Sequence, residues 1–479
     1  MSNVIKEMIY TIGLHRGQKR LYMQTLRLKE AGLTPGSFYE VEANSKEKSL
    51  VIRPSSIGYK VSEKKGEIPV IDFPKKFMEE TFSENNSVRV TIFKDMVIIT
   101  ETHNDALNRK VIESRYYQLS SMEFFCGGGT LAKCVHDAGF KVTHAVELEP
   151  QYVENFEKNF PDTTVLCGKV QDITMDLLPF GSDLFVAGIP CDTYSVARRR
   201  GETAHDLTGK DLDERIAEHV NVATVYYVLE AIRLKRPHSV LIEEVVPFGK
   251  SIQCAILKSV LSDLGYDFKE TVVAPEQELT TRRRYCLFAS LKKGFEFPTM
   301  DYNVEESLGD IFFGGEPETE WFEEGSQTMK RETERAIMHK EKGNGFGYTT
   351  ITVDSTKTGT FTKGYAKRRG EAYVHDGKRY RMAGKNEIRR VHGIPDDFVL
   401  PESYTTATEI LGQGVLYRPF KHILDAIHGF LKGDSMDKLK NILMRLGYSS
   451  EKIESYIEKI GSGNIALITS RLEKMLPVA

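Results

Sequence analysis

The sequence predicts an α/β protein: a sheet covered by helices on both faces, with smaller elements before and after it. Three observations predict this. From about residue 117, apolar runs such as "SMEFF", "SDLFVAG" and "HSVLIEEV" alternate with segments whose apolar residues recur at helical spacing. Strands alternating with helices imply a parallel sheet buried on both faces. The first run ends in Gly127, Gly128 and Gly129, as a strand does when it turns tightly into a helix. Finally, 479 residues at 40% hydrophobic and 28% charged carry enough apolar material for a sizeable core and two or three domains.

Residues up to about 112 differ in character. "GLTPGSFYEVEANSKEKSLVIRP" reads as turn, strand, loop, strand, and "SENNSVRVTIFKDMVIIT" repeats the scheme. Val88, Val90 and Ile92 alternate before a turn at Lys94 and Asp95, which predicts two hairpins. Next come the strand "SMEFFCGGGT", the helix "TLAKCVHDAGF" stopped by Gly139, the strand "KVTHAVELEP", the helix "QYVENFEKNF", the strand "SDLFVAGIP", the helix "VATVYYVLEAIRLKRP" and the strand "HSVLIEEV". Beyond about 295 the chain reads as irregular and polar, order returning near "IRRVHGIPDDFVLP". The last segment has helical periodicity broken by Gly-Tyr and Gly-Ser-Gly.

The net charge of -3 gives no global sign of nucleic-acid binding, so any such signal is local. Six scattered cysteines without a CxxC pair argue against zinc and against a disulfide framework. The first twenty residues lack a signal-peptide run, and no segment approaches the roughly 20 apolar residues of a membrane span. The expectation is a cytoplasmic protein with no metal and no membrane partner.

Four features carry chemistry. Glycines after the first strand let backbone approach a ligand at a helix N-terminus, and Glu147, 20 residues beyond Gly127, ends the next strand as a ribose-binding acid would. Alone, this suits a dehydrogenase or any nucleoside-binding methyltransferase, and a tight turn needing positive φ explains the glycines as well. Cys191 follows Pro190 at a strand end, where open α/β sheets bind ligands. It reads either as a small buried hydrophobe or, beside Arg198, Arg199 and Arg200, as a thiolate nucleophile. Glu243 and Glu244 close another apolar strand, a costly placement unless solvated, paired or functional. In "TTRRRYCLFAS", Arg282 and Arg284 share one strand face and Arg283 takes the other, an arrangement suited to an anionic or carbonyl-bearing ligand or to surface salt bridges.

The order of "FFCGGGT", "VELEP", "QDIT", "GIPCDTYS", "LIEEV", "TRRRY" and "LGQGV" resembles the DNA cytosine-5 methyltransferases over roughly residues 117 to 432. The resemblance implies a Rossmann-like methyltransferase sheet that uses S-adenosyl-L-methionine, with a smaller target-recognition lobe. It implies a catalytic domain from 117–295 completed by 379–432, with a target-recognition lobe and lead-in at 296–378; outside it, the hairpin and helical patterns mark an N-terminal β domain at 1–112 and a helical tail at 433–479. The hairpins of 1–112 resemble swapped-hairpin AbrB-type units, which implies DNA binding or a homodimer; a packing appendage explains them as well. By position, Cys191 would attack C6 of a flipped cytosine, Glu243 would hold and protonate N3, and Arg284, with Arg282 beside it, would contact the base carbonyl or flanking phosphates. Phe125, Gly127, Gly128, Gly129, Glu147, Leu148, Asp172, Pro190 and Gln413 would form the cofactor site, with Gly412 beside Gln413.

This sequence departs from the family's pattern at Thr130, Asp192, Glu244, Thr280 and Gln413, which bears on target preference more than on the nucleophile, acid and arginines. Basic clusters at Arg198–Arg200, Arg282–Arg284, "KGYAKRR" and "KRYR" are the expected contacts to double-stranded DNA, a nucleoid location following if the chain is bacterial. Two other readings remain open at this stage: a methyltransferase acting on cytosine in tRNA, and a DNA-binding regulator with a degenerate site.

Overall fold

A computed structural model of the chain describes residues 4–15, 17–73, 75–83, 85–113, 119–190, 223–341, 348–367, 372–445, 448–449 and 452–455. The chain divides into two compact units, Met1–Glu113 and Ser114–Ala479.

The first unit is built on antiparallel strands β1 (Lys6–Thr11), β2 (Phe38–Asn44), β3 (Ser49–Ser55), β4 (Ser87–Ile92) and β5 (Val97–Glu101). They lie in the order β1-β4-β5-β3-β2, with Tyr59–Lys60 at the far edge. Both expected hairpins form, β2–β3 and β4–β5. They pair with each other through β5 and β3 within one chain. The alternation of Val88, Val90 and Ile92 delivers all three to a core with Leu50, Ile52, Val97 and Ile99. A second sheet joins Tyr22–Gln24, Ile68–Asp72 and Ser62–Lys64.

The second unit is organised by strands β6 (Ser120–Phe124), β7 (Lys141–Glu147), β8 (Thr164–Cys167), β9 (Leu184–Gly188), β10 (Ser239–Glu244), β11 (Asp267–Val273) and β12 (Arg284–Ser290). Their order across the sheet is β8-β7-β6-β9-β10-β12-β11. The first five run parallel. The parallel arrangement stops at β10, because β12 pairs with it antiparallel and β11 pairs antiparallel with β12. Arg284 therefore opens its strand at the edge where the parallel strands end.

Helices α1 (Thr130–Asp137) and α2 (Pro150–Asn159) cover one face, α3 (Thr224–Lys235) and α4 (Ile252–Asp263) the other. Phe124, Phe185, Val228, Ile232, Leu257 and Leu261 pack one core; Leu131, Phe140, Phe156, Ile423 and Ile427 belong to the second. Each such side chain contributes about 1.5–3 kcal/mol when fully buried. Gly139 ends the α1 turn at φ +99°, a conformation other residues adopt at a cost.

One expectation needs correcting. The stretch read as irregular beyond 295 holds Leu308–Phe313 and the 15-residue helix α5 (Gln327–Glu341). α5 has almost no apolar stripe to betray it, since Met329 is its one core-buried hydrophobic among the described residues; its Gln, Lys, Arg, Glu and Ala content supplies the helix propensity instead. After α6 (Tyr404–Gln413), helix α7 (Tyr417–Arg445) runs on through Gly429 and Gly433. The packing of Ile423, Ile427 and Leu431 outweighs the roughly 1 kcal/mol that a helix-interior glycine costs.

Candidate active site

The turn after β6 sets the first half of the site. Phe125, Gly127 and Gly129 all have positive φ, +58°, +53° and +94°. For Phe125 this costs on the order of 1–2 kcal/mol, held by its surroundings. Glu147, at the end of neighbouring β7, fixes the turn: Oε2 accepts the Gly127 N–H at 2.8 Å, and Oε1 accepts those of Leu148 and Glu149, both at 2.9 Å. From below, the buried Asn155 on α2 donates Nδ2–H to the Gly128 carbonyl at 3.0 Å. A Cβ on Gly128 would collide with Ile410, one on Gly414 with Thr130, and one on Gly127 would sit 3.2 Å from Gln413 Nε2. The turn and the end of α6 thus interlock. Thr130, where the family carries glycine, is the buried neighbour of Gly414. Beneath the turn, burial and then the charge of Glu147 push the Glu123 carboxyl well above the carboxylate range.

Leu148, 51% exposed, offers an apolar surface directly after Glu147. Asp172 is exposed at the end of the short turn Val170–Asp172 that follows β8. Pro190 is half-buried two residues past the end of β9. Asp172, Glu147, the glycine turn, Pro190, Glu243 and Arg284 therefore follow one another along one edge of the sheet.

On β10, Glu243 Oε1 lies 2.7 Å from Arg284 Nε, with side-chain exposures of 9% and 13%. Burial raises the Glu243 carboxyl, and Arg284 and then Arg282 oppose the rise. Glu243 pairs in register with Gly188 of β9, where a Cβ would stand 3.6 Å from Glu243 Oε2. Cys191 follows Pro190 in sequence and lies, with Asp192 and Arg198–Arg200, outside the described residues. Glu244, also buried, accepts the N–H of Val245.

Arg282 and Arg284 point inward and Arg283 is exposed. The two inward arginines part company. Arg284 meets Glu243; Arg282, 2% exposed, donates from Nη1 to the Phe361 carbonyl at 3.2 Å and from Nη2 to those of Gly412, at 3.0 Å, and Gly414. Thr280, in place of the family's glutamine, donates Oγ1–H to the Gly359 carbonyl at 3.0 Å. His392, unmarked by any motif within "RRVHGIPDD", is fully buried near both arginines. Burial, then the charges of Arg282, Arg284 and Arg418, hold its imidazole well below the usual histidine range, so it is neutral.

A smaller four-stranded sheet joins Phe322–Glu323, Arg379–Arg381, Ala372–His375 and Thr349–Ile351. The chain's one tryptophan, Trp321, stands 5.0 Å from the Arg379 guanidinium and 5.1 Å from that of Arg381. Much of the basic "KRYR" cluster is spent internally. Arg381 is buried in a bidentate pair with Glu387, both bonds 2.7 Å, and Arg379 is paired to Asp376. Of "KGYAKRR", Arg368 and Arg369 lie outside the described residues.

The model of the C-5 cytosine-specific DNA methylase family matches residues 119–429. The chain is 24% identical over 315 residues to the Type II methyltransferase M.DsaV of Dactylococcopsis salina, covering 62% of this chain and 82% of that protein. It is 24% identical over 328 residues to the Type II methyltransferase M.HpaII of Haemophilus parainfluenzae, covering 61% and 85%. Among solved structures, the Entamoeba histolytica methyltransferase EhMeth and the S. pombe Dnmt2 methyltransferase each match at a TM-score of 0.50 and 16% identity. They cover 66% and 65% of this chain, each 99% of its own, and share its fold. The sheet order and its covering helices are those of a Rossmann-like methyltransferase fold. The chain belongs to the C-5 cytosine-specific DNA methylase family, and its activity is DNA cytosine-5 methylation. No helix among the described residues is long and apolar enough to cross a membrane.

Proposed function

We propose that the chain methylates C5 of a cytosine flipped out of double-stranded DNA, using S-adenosyl-L-methionine held by Phe125, Gly127, Gly128, Gly129, Glu147, Leu148, Asp172, Pro190 and Gln413. Two features of these residues suit that ligand. The Gln413 Nε2 is buried beside Gly127 without a hydrogen-bond partner. Leu148 leaves an apolar surface open next to the acid that would bind ribose hydroxyls. The bound cofactor supplies a methyl carbon made electrophilic by its sulfonium.

The chain's residues prepare C5 to accept it. The Cys191 thiolate adds to C6, and Glu243 donates its proton to N3, so that C5 becomes an enamine carbon. Once C5 has taken the methyl group, loss of the C5 proton to solvent, expulsion of the thiolate and return of the N3 proton to Glu243 restore the aromatic ring. Arg284 holds Glu243 and faces the base carbonyl or its flanking phosphate. The single observation that carries this reading is the buried Glu243–Arg284 pair beside the β9 end that leads to Cys191. Its carboxyl is raised toward the protonated form that such a donor requires. Bisulfite sequencing of DNA from cells expressing the chain tests it: protected cytosines in a fixed context are expected, and none would end the reading.

A further inference from the structure

Arg282 sits where three segments meet. Leu279–Arg282 runs into β12; Thr358 accepts from the Thr281 N–H at 3.0 Å and donates to the Leu279 carbonyl at 2.8 Å, so 358–361 lies beside it. The third segment is the end of α6, whose Gly412 approaches the Thr362 backbone so closely that a Cβ would overlap it. Arg282 donates into two of the three, to Phe361 and to both Gly412 and Gly414. A guanidinium has five donors in a rigid plane, and here three carbonyls fill its fork. Between the two glycines it grips stands Gln413, whose Nε2 is buried against Gly127. Two residues along the chain, Arg284 meets Glu243.

We propose that Arg282 is a positioning residue that couples the two halves of the site. It holds the end of α6 at Gly412–Gly414 so that the Gln413 amide faces the cofactor loop, and it ties that helix end to the strand presenting Arg284 to the base. Its own guanidinium is turned to the protein and not to DNA. The inference rests on the cofactor reading given above.

Calorimetry with S-adenosylhomocysteine, and equilibrium binding of a random-sequence duplex without cofactor, separate the possibilities in the full chain. Arg282→Met and Arg282→Lys are expected to raise the S-adenosylhomocysteine dissociation constant about tenfold or more, the loss of one hydrogen bond to a charged group. Duplex binding should stay within about twofold. Arg284→Lys should leave S-adenosylhomocysteine affinity unchanged. Unchanged cofactor affinity with weakened duplex binding in the Arg282 variants would overturn the proposal and return Arg282 to the DNA. If the unsubstituted chain itself fails to bind S-adenosylhomocysteine, the cofactor reading falls instead. Should both Arg282 variants lose their cooperative melting transition, hydrogen exchange of the unsubstituted chain decides. Added S-adenosylhomocysteine must then protect 358–362 together with 410–416, and protection confined to 410–416 rejects the coupling.

Discussion

Arg284 reaches across from the start of β12 to Glu243 at the end of β10, Nε to Oε1 at 2.7 Å, and both side chains are largely buried. Burial favours the neutral carboxyl, and the two nearby arginines favour the charged one; burial is the larger influence. Glu243→Gln keeps the shape and removes the proton. It is expected to lower kcat by about 10²–10⁴-fold. Because the protonated form is the active one, the rate limb assigned to Glu243 should fall as pH rises through its elevated pKa. A pH–rate profile of Glu243→Gln that retains this limb would assign it to another group.

Cys191 is tested by trapping. With 5-fluorocytosine at the target, the fluorine cannot leave as a cation, so methyl transfer should leave a covalent protein–DNA complex. A shifted band on a denaturing gel is expected with the unsubstituted chain and cofactor. Cys191→Ser should give none, while binding S-adenosylhomocysteine as before. A band of equal intensity from Cys191→Ser would remove the nucleophile assignment.

Glu147 holds three backbone N–H groups of two turns and is assigned the ribose as well. Glu147→Ala should weaken S-adenosylmethionine binding by about 1–3 kcal/mol, as expected for hydrogen bonds to a charged group. Calorimetry showing equal affinity would take Glu147 out of the site.

Glu123 predicts a pH dependence of stability. Its folded pKa lies well above the usual carboxylate range, through burial and then Glu147. The folded chain therefore binds more protons than the unfolded one between the two pKa values, and stability declines as pH rises through that window. Glu123→Gln, which cannot ionise, should raise Tm relative to the unsubstituted chain by more at pH 8 than at pH 5. An equal difference at both pH values would show that Glu123 does not titrate on unfolding.

The strand–helix alternation was legible because buried parallel strands are continuous apolar runs, and β6, β9 and β10 read that way. So were Glu147 and Glu243, since an acid closing an apolar run is conspicuous. Arg282 was legible as sharing a face with Arg284, but its partners were not. The carbonyls of Phe361, Gly412 and Gly414 lie 79 to 132 residues away, and backbone acceptors leave no trace in side-chain identity. Asn155 was hidden for a similar reason: nothing in "QYVENFEKNF" marks which polar residue faces the glycine turn. α5 was missed because polar helices lack the apolar period on which the reading relied.

Trp321 makes the second unit optically distinct. As the one tryptophan in the chain, it confines the indole emission to the lobe of the four-stranded sheet, next to the Arg379 and Arg381 guanidiniums. Excitation at the red edge of the tyrosine band then reads that lobe without any label. A duplex that displaces Arg379 changes the indole's polarity and quenching, so a titration reports docking at the lobe itself. The same property divides a melting experiment: the indole signal is blind to residues 1–113, whereas far-ultraviolet dichroism sees both units. Any gap between the two curves measures how far the N-terminal unit unfolds on its own.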